Sequence, residues 1–172
     1  MIVWLNGTFG CGKTTTAAEL RCLIPSSRVF DPETVGYMLR PNLADHPVTD
    51  FQDWPPWRRL VVGTATELAR FTGQHLIAPQ TVLDRGYLDQ IFAGLVHAGL
   101  TVFHVVLDAD DDILRQRILG SAEAQQWRLA HLPAYQQSRS WLIRRADLVV
   151  DTGNRSPAEA AGQIANALGR RT

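Results

Sequence analysis

MIVWLNGTFGCGKTTT, residues 1–16, is the stretch whose reading decides the fold. Within it Gly7-Thr8-Phe9-Gly10-Cys11-Gly12-Lys13-Thr14 matches the phosphate-loop pattern, a Gly, four free positions, then Gly-Lys-Ser/Thr. Ile2, Val3, Trp4 and Leu5 before it are apolar and strand-like, and Thr15 to Leu23 after it can form a helix. Glycines let a backbone turn tightly and bring its N–H groups to a phosphate. The helix start adds the positive end of a dipole. Gly7, Thr8, Phe9, Gly10, Cys11, Gly12, Lys13, Thr14 and Thr15 are therefore the candidate nucleotide-binding residues. Lys13 can reach the β and γ phosphates of ATP, and the Thr14 hydroxyl can ligate Mg2+. The plain alternative is a glycine-rich turn with Lys13 in solvent. GTP would suit the loop as well as ATP.

The chain has 172 residues and 45% hydrophobic content, which predicts one domain, 1–172, with a sizeable core. Lys plus Arg number 17 and Asp plus Glu number 17. That balance argues against a general nucleic-acid binder. Cys11 and Cys22 follow neither a metal spacing nor a disulfide framework and suit a reducing compartment. A helix start could lower the Cys11 pKa; a small side chain filling a free loop position is the simpler reading. No apolar run approaches the ~18 residues of a spanning helix, and no leader pattern precedes the loop. The expectation is a cytoplasmic protein, monomer or weak homodimer, with peripheral membrane contact left open.

Working outward, apolar segments at 2–6, 28–30, 76–83, 101–107 and 146–150 read as five strands separated by helices. That order predicts an α/β fold: a doubly wound parallel sheet with helices on both faces. Ligands in such sheets bind at the carboxyl ends of the strands. Asp31 follows the second strand, where a carboxylate can take a proton from a substrate hydroxyl or help hold Mg2+; it can also cap the helix starting at Pro32. Arg40, at the expected end of that helix, could face substrate or simply favour the helix dipole. Residues 41–57 form a long, aperiodic loop, the expected substrate side, where Phe51, Trp54 and Trp57 either line a pocket or pack a rim. Arg85, just after Asp84, could touch an anionic substrate. Residues 115–145 read as a helical lid divided at Pro133. Arg117 and Arg128 flank the Gly120 break and are the candidates for contacting the transferring phosphate, a solvated helix face being the alternative. His104 reads as a satisfied buried histidine. Thr152 to Arg155 could contact adenine through backbone groups. The third strand lacks the terminal Asp that many phosphate-loop enzymes use near Mg2+; Gln80 and Thr81 stand there instead.

The sequence resembles the small-molecule and nucleoside/nucleotide kinases of the phosphate-loop superfamily, and more narrowly the tunicamycin resistance protein family. The marks are WLNGTFGCGKTTTAAEL (4–20), VFDPETVGYMLR (29–40), DFQDWPPWR (50–58) and LIAPQTVL (76–83), in that order. The resemblance implies an ATP-binding protein that confers resistance to tunicamycin, a nucleoside antibiotic, with membrane association proposed for some members. It implies Gly7 to Thr15 on the ATP phosphates, Asp31 as substrate-side base, and Arg117 or Arg128 as lid arginines. Phosphorylation of the drug, ATP-dependent sequestration, and metabolic phosphorylation of a uridine-containing or other small molecule are the three functions it leaves open.

Overall fold

A computed structural model describes residues 1–122 and 124–170. Glu123, inside the expected lid, lies outside the described residues. Five strands form one sheet: β1 (Ile2–Asn6), β2 (Ser27–Val29), β3 (His75–Pro79), β4 (Val102–Asp108) and β5 (Leu148–Asp151). Their order is β2-β3-β1-β4-β5, and every pairing is parallel. The doubly wound five-stranded parallel sheet is therefore as expected. Its centre is β1, whose five residues are all buried. A strand covered on both faces has no reason to alternate polar with apolar, which is why IVWL reads as a continuous run.

Helices cover both faces. They are α1 (Lys13–Leu23), α2 (Glu33–Asn42), α3 (Pro55–Thr72), α4 (Arg85–His97), α5 (Asp111–Leu119), α6 (Gln125–Ala130), α7 (Leu132–Arg145) and α8 (Pro157–Gly169). A single 3-10 turn, Phe51–Asp53, interrupts the loop before α3. Helix α1 packs with α8, and α3 packs with α4. Several ends follow from local chemistry. Gly73 closes α3 in the left-handed conformation. Asp84 caps α4 by accepting from the Tyr87 N–H at 2.8 Å. Ser156 and Glu159 form a reciprocal capping box at α8.

Prolines set three boundaries, of which only the end of α2 differs from the sequence reading. Within the 76–83 segment Pro79 stands at the carboxyl end of strand β3, and the strand does not continue to Leu83. Pro79 pairs with Leu5 at the carboxyl end of the ladder, where its missing N–H costs little. Helix α2 runs on through Pro41 to Asn42, giving up only the bond that a Pro41 N–H would have made to the Tyr37 carbonyl. Pro133 divides the lid stretch as expected, sitting in the first turn of α7 after α6 has ended at Ala130.

Candidate active site

The phosphate loop is clamped to its neighbours by side chains at the end of β1. Buried Asn6 accepts from the Gly7 N–H at 2.8 Å and the Val82 N–H at 3.0 Å, and donates to the Val82 carbonyl at 3.0 Å. The Thr81 hydroxyl donates to the Gly7 carbonyl at 2.7 Å. Gly7 has φ +136°, and a Cβ there would lie 2.4 Å from the Leu107 carbonyl oxygen and 2.7 Å from Cys11 Sγ. Only glycine allows that approach of β1's exit to β4.

Lys13 Nζ folds back over the loop, donating to the carbonyls of Gly7 at 3.0 Å and Thr8 at 2.8 Å. It also lies 5.5 Å from the centre of the Phe9 ring. Thr14 is exposed on the first turn of α1, and Thr15 Oγ1 donates to the Gly12 carbonyl at 2.9 Å. Cys11 is fully buried, and burial pushes its thiol up, with the Lys13 ammonium acting against that rise. Desolvation of a thiolate outweighs the helix start, in line with the simpler reading of Cys11 as a small side chain filling a loop position.

Two hollows flank the loop. The smaller, about 200 Å³, is lined by Gly10, Cys11, Gly12, Thr15 and Thr16 on one side and Arg117, Thr152, Arg155 and Pro157 on the other. Arg117 spans it: Nη2 donates to the Thr152 carbonyl at 2.7 Å, and Nη1 to the Gly10 carbonyl at 3.3 Å. The larger, about 460 Å³, is bounded by Phe9, by Glu33, Tyr37 and Arg40 of α2, by Thr49 to Asp53, by Gln80, Thr81, Asp84 and Tyr87, and by Trp127, Arg128 and His131 of α6 and its end. Phe9 therefore faces the larger hollow while the next three loop residues face the smaller. Phe9, Trp127 and His131 form an aromatic cluster with centroid separations of 5.0, 5.5 and 4.2 Å, and the Arg128 guanidinium lies 5.8 Å from the Phe9 ring.

The structure brings Phe51, Arg40 and Arg128 to the larger hollow and separates Arg117 from Arg128. Asp31 lies outside both hollows; it is exposed, with Oδ1 accepting from the Glu33 N–H at 2.9 Å. The expectation that Trp54 and Trp57 line an acceptor pocket is corrected. Trp57 is fully buried and donates to the Pro32 carbonyl, and Trp54 is 7% exposed and donates to the His46 carbonyl. Indoles that deliver their N–H to backbone inside the core have no face left for a ligand. Arg85 is likewise away from the larger hollow, beside Trp141, Arg144 and Arg145.

Sequence reasoning missed two features. Asp108, at the carboxyl end of β4, accepts from the Tyr135 hydroxyl at 2.6 Å and from Arg139 Nη2 at 2.7 Å and Nε at 3.0 Å. This buried contact ties α7 to the sheet beside the loop. The position of Asp108 at a strand end was the available signal. The second is the placement of Trp127 and His131 over Phe9, for which the sequence carries no local signal. Asp50 on the hollow wall accepts from the Gln52 N–H at 2.9 Å, and burial holds its carboxyl above the usual range.

Mg2+ takes few protein oxygens and keeps several waters. The described residues contain no group of three or more His, Cys, Asp and Glu suited to a metal. An exposed Thr14 hydroxyl beside a phosphate loop is a donor set that fits Mg2+ shared with nucleotide phosphates. At the end of β3 the Thr81 hydroxyl is committed to Gly7, so it is not an equivalent second ligand.

A family model described as an AAA domain matches residues 2–142. The chain belongs to that AAA domain family. No curated protein matches it. Among solved structures, this AAA domain is similar to the tunicamycin resistance protein of Deinococcus radiodurans, with 28% identity and a TM-score of 0.77 over 98% of this chain and 95% of that one. It is similar in fold to a sugar kinase from a Janibacter species, with 19% identity and a TM-score of 0.70 over 98% and 94% of the two chains. It is also similar in fold to the Mycobacterium tuberculosis APS kinase CysC in complex with AMPPNP and APS, with 21% identity and a TM-score of 0.66 over 98% and 96%. The fold is that of phosphate-loop NTPases related to small-molecule kinases. No helix among the described residues is long and apolar enough to cross a membrane.

Proposed function

We propose that this AAA domain is an ATP-dependent phosphotransferase acting on a hydroxyl of an uncharged small molecule, with tunicamycin the candidate acceptor. The observation that carries the reading is the position of the phosphate loop between two hollows, one walled by Gly10 to Gly12 and Arg117, the other by Phe9 and polar side chains. A donor nucleotide on one side and an acceptor on the other would meet at Lys13. The similarity to a tunicamycin resistance protein, at 28% identity, supports the choice of acceptor.

In this reading the Thr152–Arg155 turn and Arg117 bind the base and the loop N–H groups hold the phosphates. Lys13 leaves its two carbonyl partners for the β and γ phosphates. The Thr14 hydroxyl would hold Mg2+, which would supply charge neutralisation of the triphosphate. The acceptor hydroxyl oxygen forms a bond to the γ phosphorus as the bond from that phosphorus to the β-bridging oxygen breaks, and ADP leaves. The hydroxyl proton passes to Asp31, which stands outside the larger hollow with its Oδ1 on the Glu33 N–H and reaches the acceptor only as the site closes. The segment 115–145 acts as the lid, with Arg128 brought toward the transferring group and water excluded by the Phe9–Trp127–His131 cluster.

The acceptor side carries Glu33, Asp50, Asp53 and Asp84 against Arg40, Arg128 and His131. Carboxylates accept hydrogen bonds from hydroxyls and repel anions, which favours a neutral, hydroxylated acceptor over a phosphorylated one. Mass spectrometry of tunicamycin incubated with the protein, ATP and Mg2+ is the test. One phosphoryl group should appear on the drug, and Asp31→Asn should slow its appearance by at least about 100-fold with nucleotide affinity retained. Unmodified drug that nevertheless binds tightly in the presence of ATP would establish sequestration instead.

A further inference from the structure

A third hollow lies apart from the phosphate loop. Arg85, Trp141, Arg144 and Arg145 line a space of about 240 Å³ between the start of α4 and the end of α7, roughly half the size of the acceptor cleft. None of these four residues lines either hollow beside the loop. Arg145 has its charge answered: Nη2 is 2.5 Å from Asp89 Oδ1, and the guanidinium lies 5.9 Å from the Phe92 ring centre. Arg85 and Arg144 are exposed, and their guanidinium groups make no hydrogen bond or ion pair with any described residue.

Helix electrostatics explain half of this arrangement. Arg144 and Arg145 occupy the last turn of α7, where cations meet the negative end of the helix dipole. Arg85 is the reverse case. It is the first residue of α4, at the positive end, where a cation is unfavourable. Its neighbour Asp84 keeps its charge but turns to the Tyr87 N–H and lines the larger hollow, not this one. The chain as a whole is charge-balanced at 17 against 17, so this local surplus is not imposed by composition. Like charges from two helices converge on one hollow at a helix start, an arrangement that an anion would relieve.

We propose that this hollow binds a compact phosphate-type anion, gripped by Arg85 from α4 and Arg144 from α7, with Arg145 fixed by Asp89 as the third cation and Trp141 as the apolar wall. Guanidinium forks suit phosphate oxygens in pairs, and they stay charged at any physiological pH. The first turn of α4 links the site to the acceptor cleft, since Asp84, adjacent to Arg85, lines that cleft. The anion site does not depend on the chain being a phosphotransferase. The anion is either a free one, such as pyrophosphate, or the phosphate of a lipid headgroup.

Calorimetric titration with inorganic pyrophosphate on the Lys13→Ala protein, which lacks the loop's own ammonium, tests the proposal. Saturable binding that weakens by about tenfold or more in Lys13→Ala/Arg85→Ala/Arg144→Ala is the expected result. Co-sedimentation of the same two proteins with phosphatidylglycerol and with phosphatidylcholine vesicles separates the sources. Arginine-dependent uptake on phosphatidylglycerol alone, without pyrophosphate binding, supports the site with the headgroup as its ligand. Absence of binding in both arms, or equal behaviour of the two proteins, overturns the proposal. Arg85→Gln/Arg144→Gln in the same background serves if the alanine protein fails to give a native thermal transition.

Discussion

Lys13 is the only lysine in the chain. Its ammonium rests on two loop carbonyls, at 3.0 and 2.8 Å, so it must exchange partners when phosphates arrive. Amine-selective acylation should therefore label two sites, Lys13 and the N-terminus, and ATP should protect Lys13 alone; peptide mapping checks this. Lys13→Ala should lower nucleotide-dependent turnover by about 100-fold or more, in line with the loss of one preorganised charge at a transferring group. Gly7 is under a different constraint. Gly7→Ala places a methyl 2.4 Å from the Leu107 carbonyl at φ +136°. Denaturant unfolding should show a loss of about 1–3 kcal/mol or more, since positive φ and backbone overlap both oppose it. These residues were legible in the sequence because a phosphate imposes its own geometry on the backbone that holds it. Trp54 and Trp57 were not, because an aromatic beside polar residues reads alike whether its ring faces a ligand or the core.

At the level of elements, α7 is held to the sheet through Asp108. The carboxylate receives the Tyr135 hydroxyl and two Arg139 nitrogens, and burial and the neighbouring carboxylate push the Tyr135 phenol well above its ordinary range. Tyr135→Phe should cost about 1.5–3 kcal/mol in denaturant unfolding, the usual worth of a hydrogen bond to a charged acceptor. Asp108→Ala should cost more, because it also strips the partner from Arg139, though Arg139 is partly exposed and solvent takes up some of its charge. If α7 serves as the stem of the lid, both variants should raise the KM for acceptor before they unfold the chain. The helices themselves were readable from capping signals such as Ser156-Pro157-Ala158-Glu159. The tie between β4 and α7 was not, since Asp108 and Arg139 are 31 positions apart and no local pattern joins them.

Over the whole molecule, stability should fall with acid in a defined window. His104 is buried on β4, edge-on to Phe92; Nδ1 faces the Arg145 carbonyl at 3.4 Å, and Nε2 has no partner among the described residues. Desolvation lowers its pKa to about 4. Above pH ~6.5 the ring is neutral in both folded and unfolded chains and contributes no pH dependence. As pH falls from there toward 4, the unfolded chain takes a proton that the fold refuses, so stability declines, by about 2–3 kcal/mol across the window. Denaturant midpoints measured against pH should show this slope, and His104→Gln should flatten it. The sequence reading of a satisfied histidine is half right: one nitrogen is paired and the other is not.

The amino-acid sequence by itself determined the parallel sheet, the phosphate loop on its central strand, and the helices between strands. Each depends on periodicity, turn chemistry or a short motif, which act over a few residues. Only the tertiary structure decided which side chains face which hollow. It sent Phe9 to one side of the loop and Cys11 to the other, Arg117 to the Thr152 turn and Arg128 to Phe9, Trp57 inward, and Arg85 to a surface shared with α7. Those choices depend on which helices pack together and at what height, a balance of contacts between distant segments that no local stretch encodes.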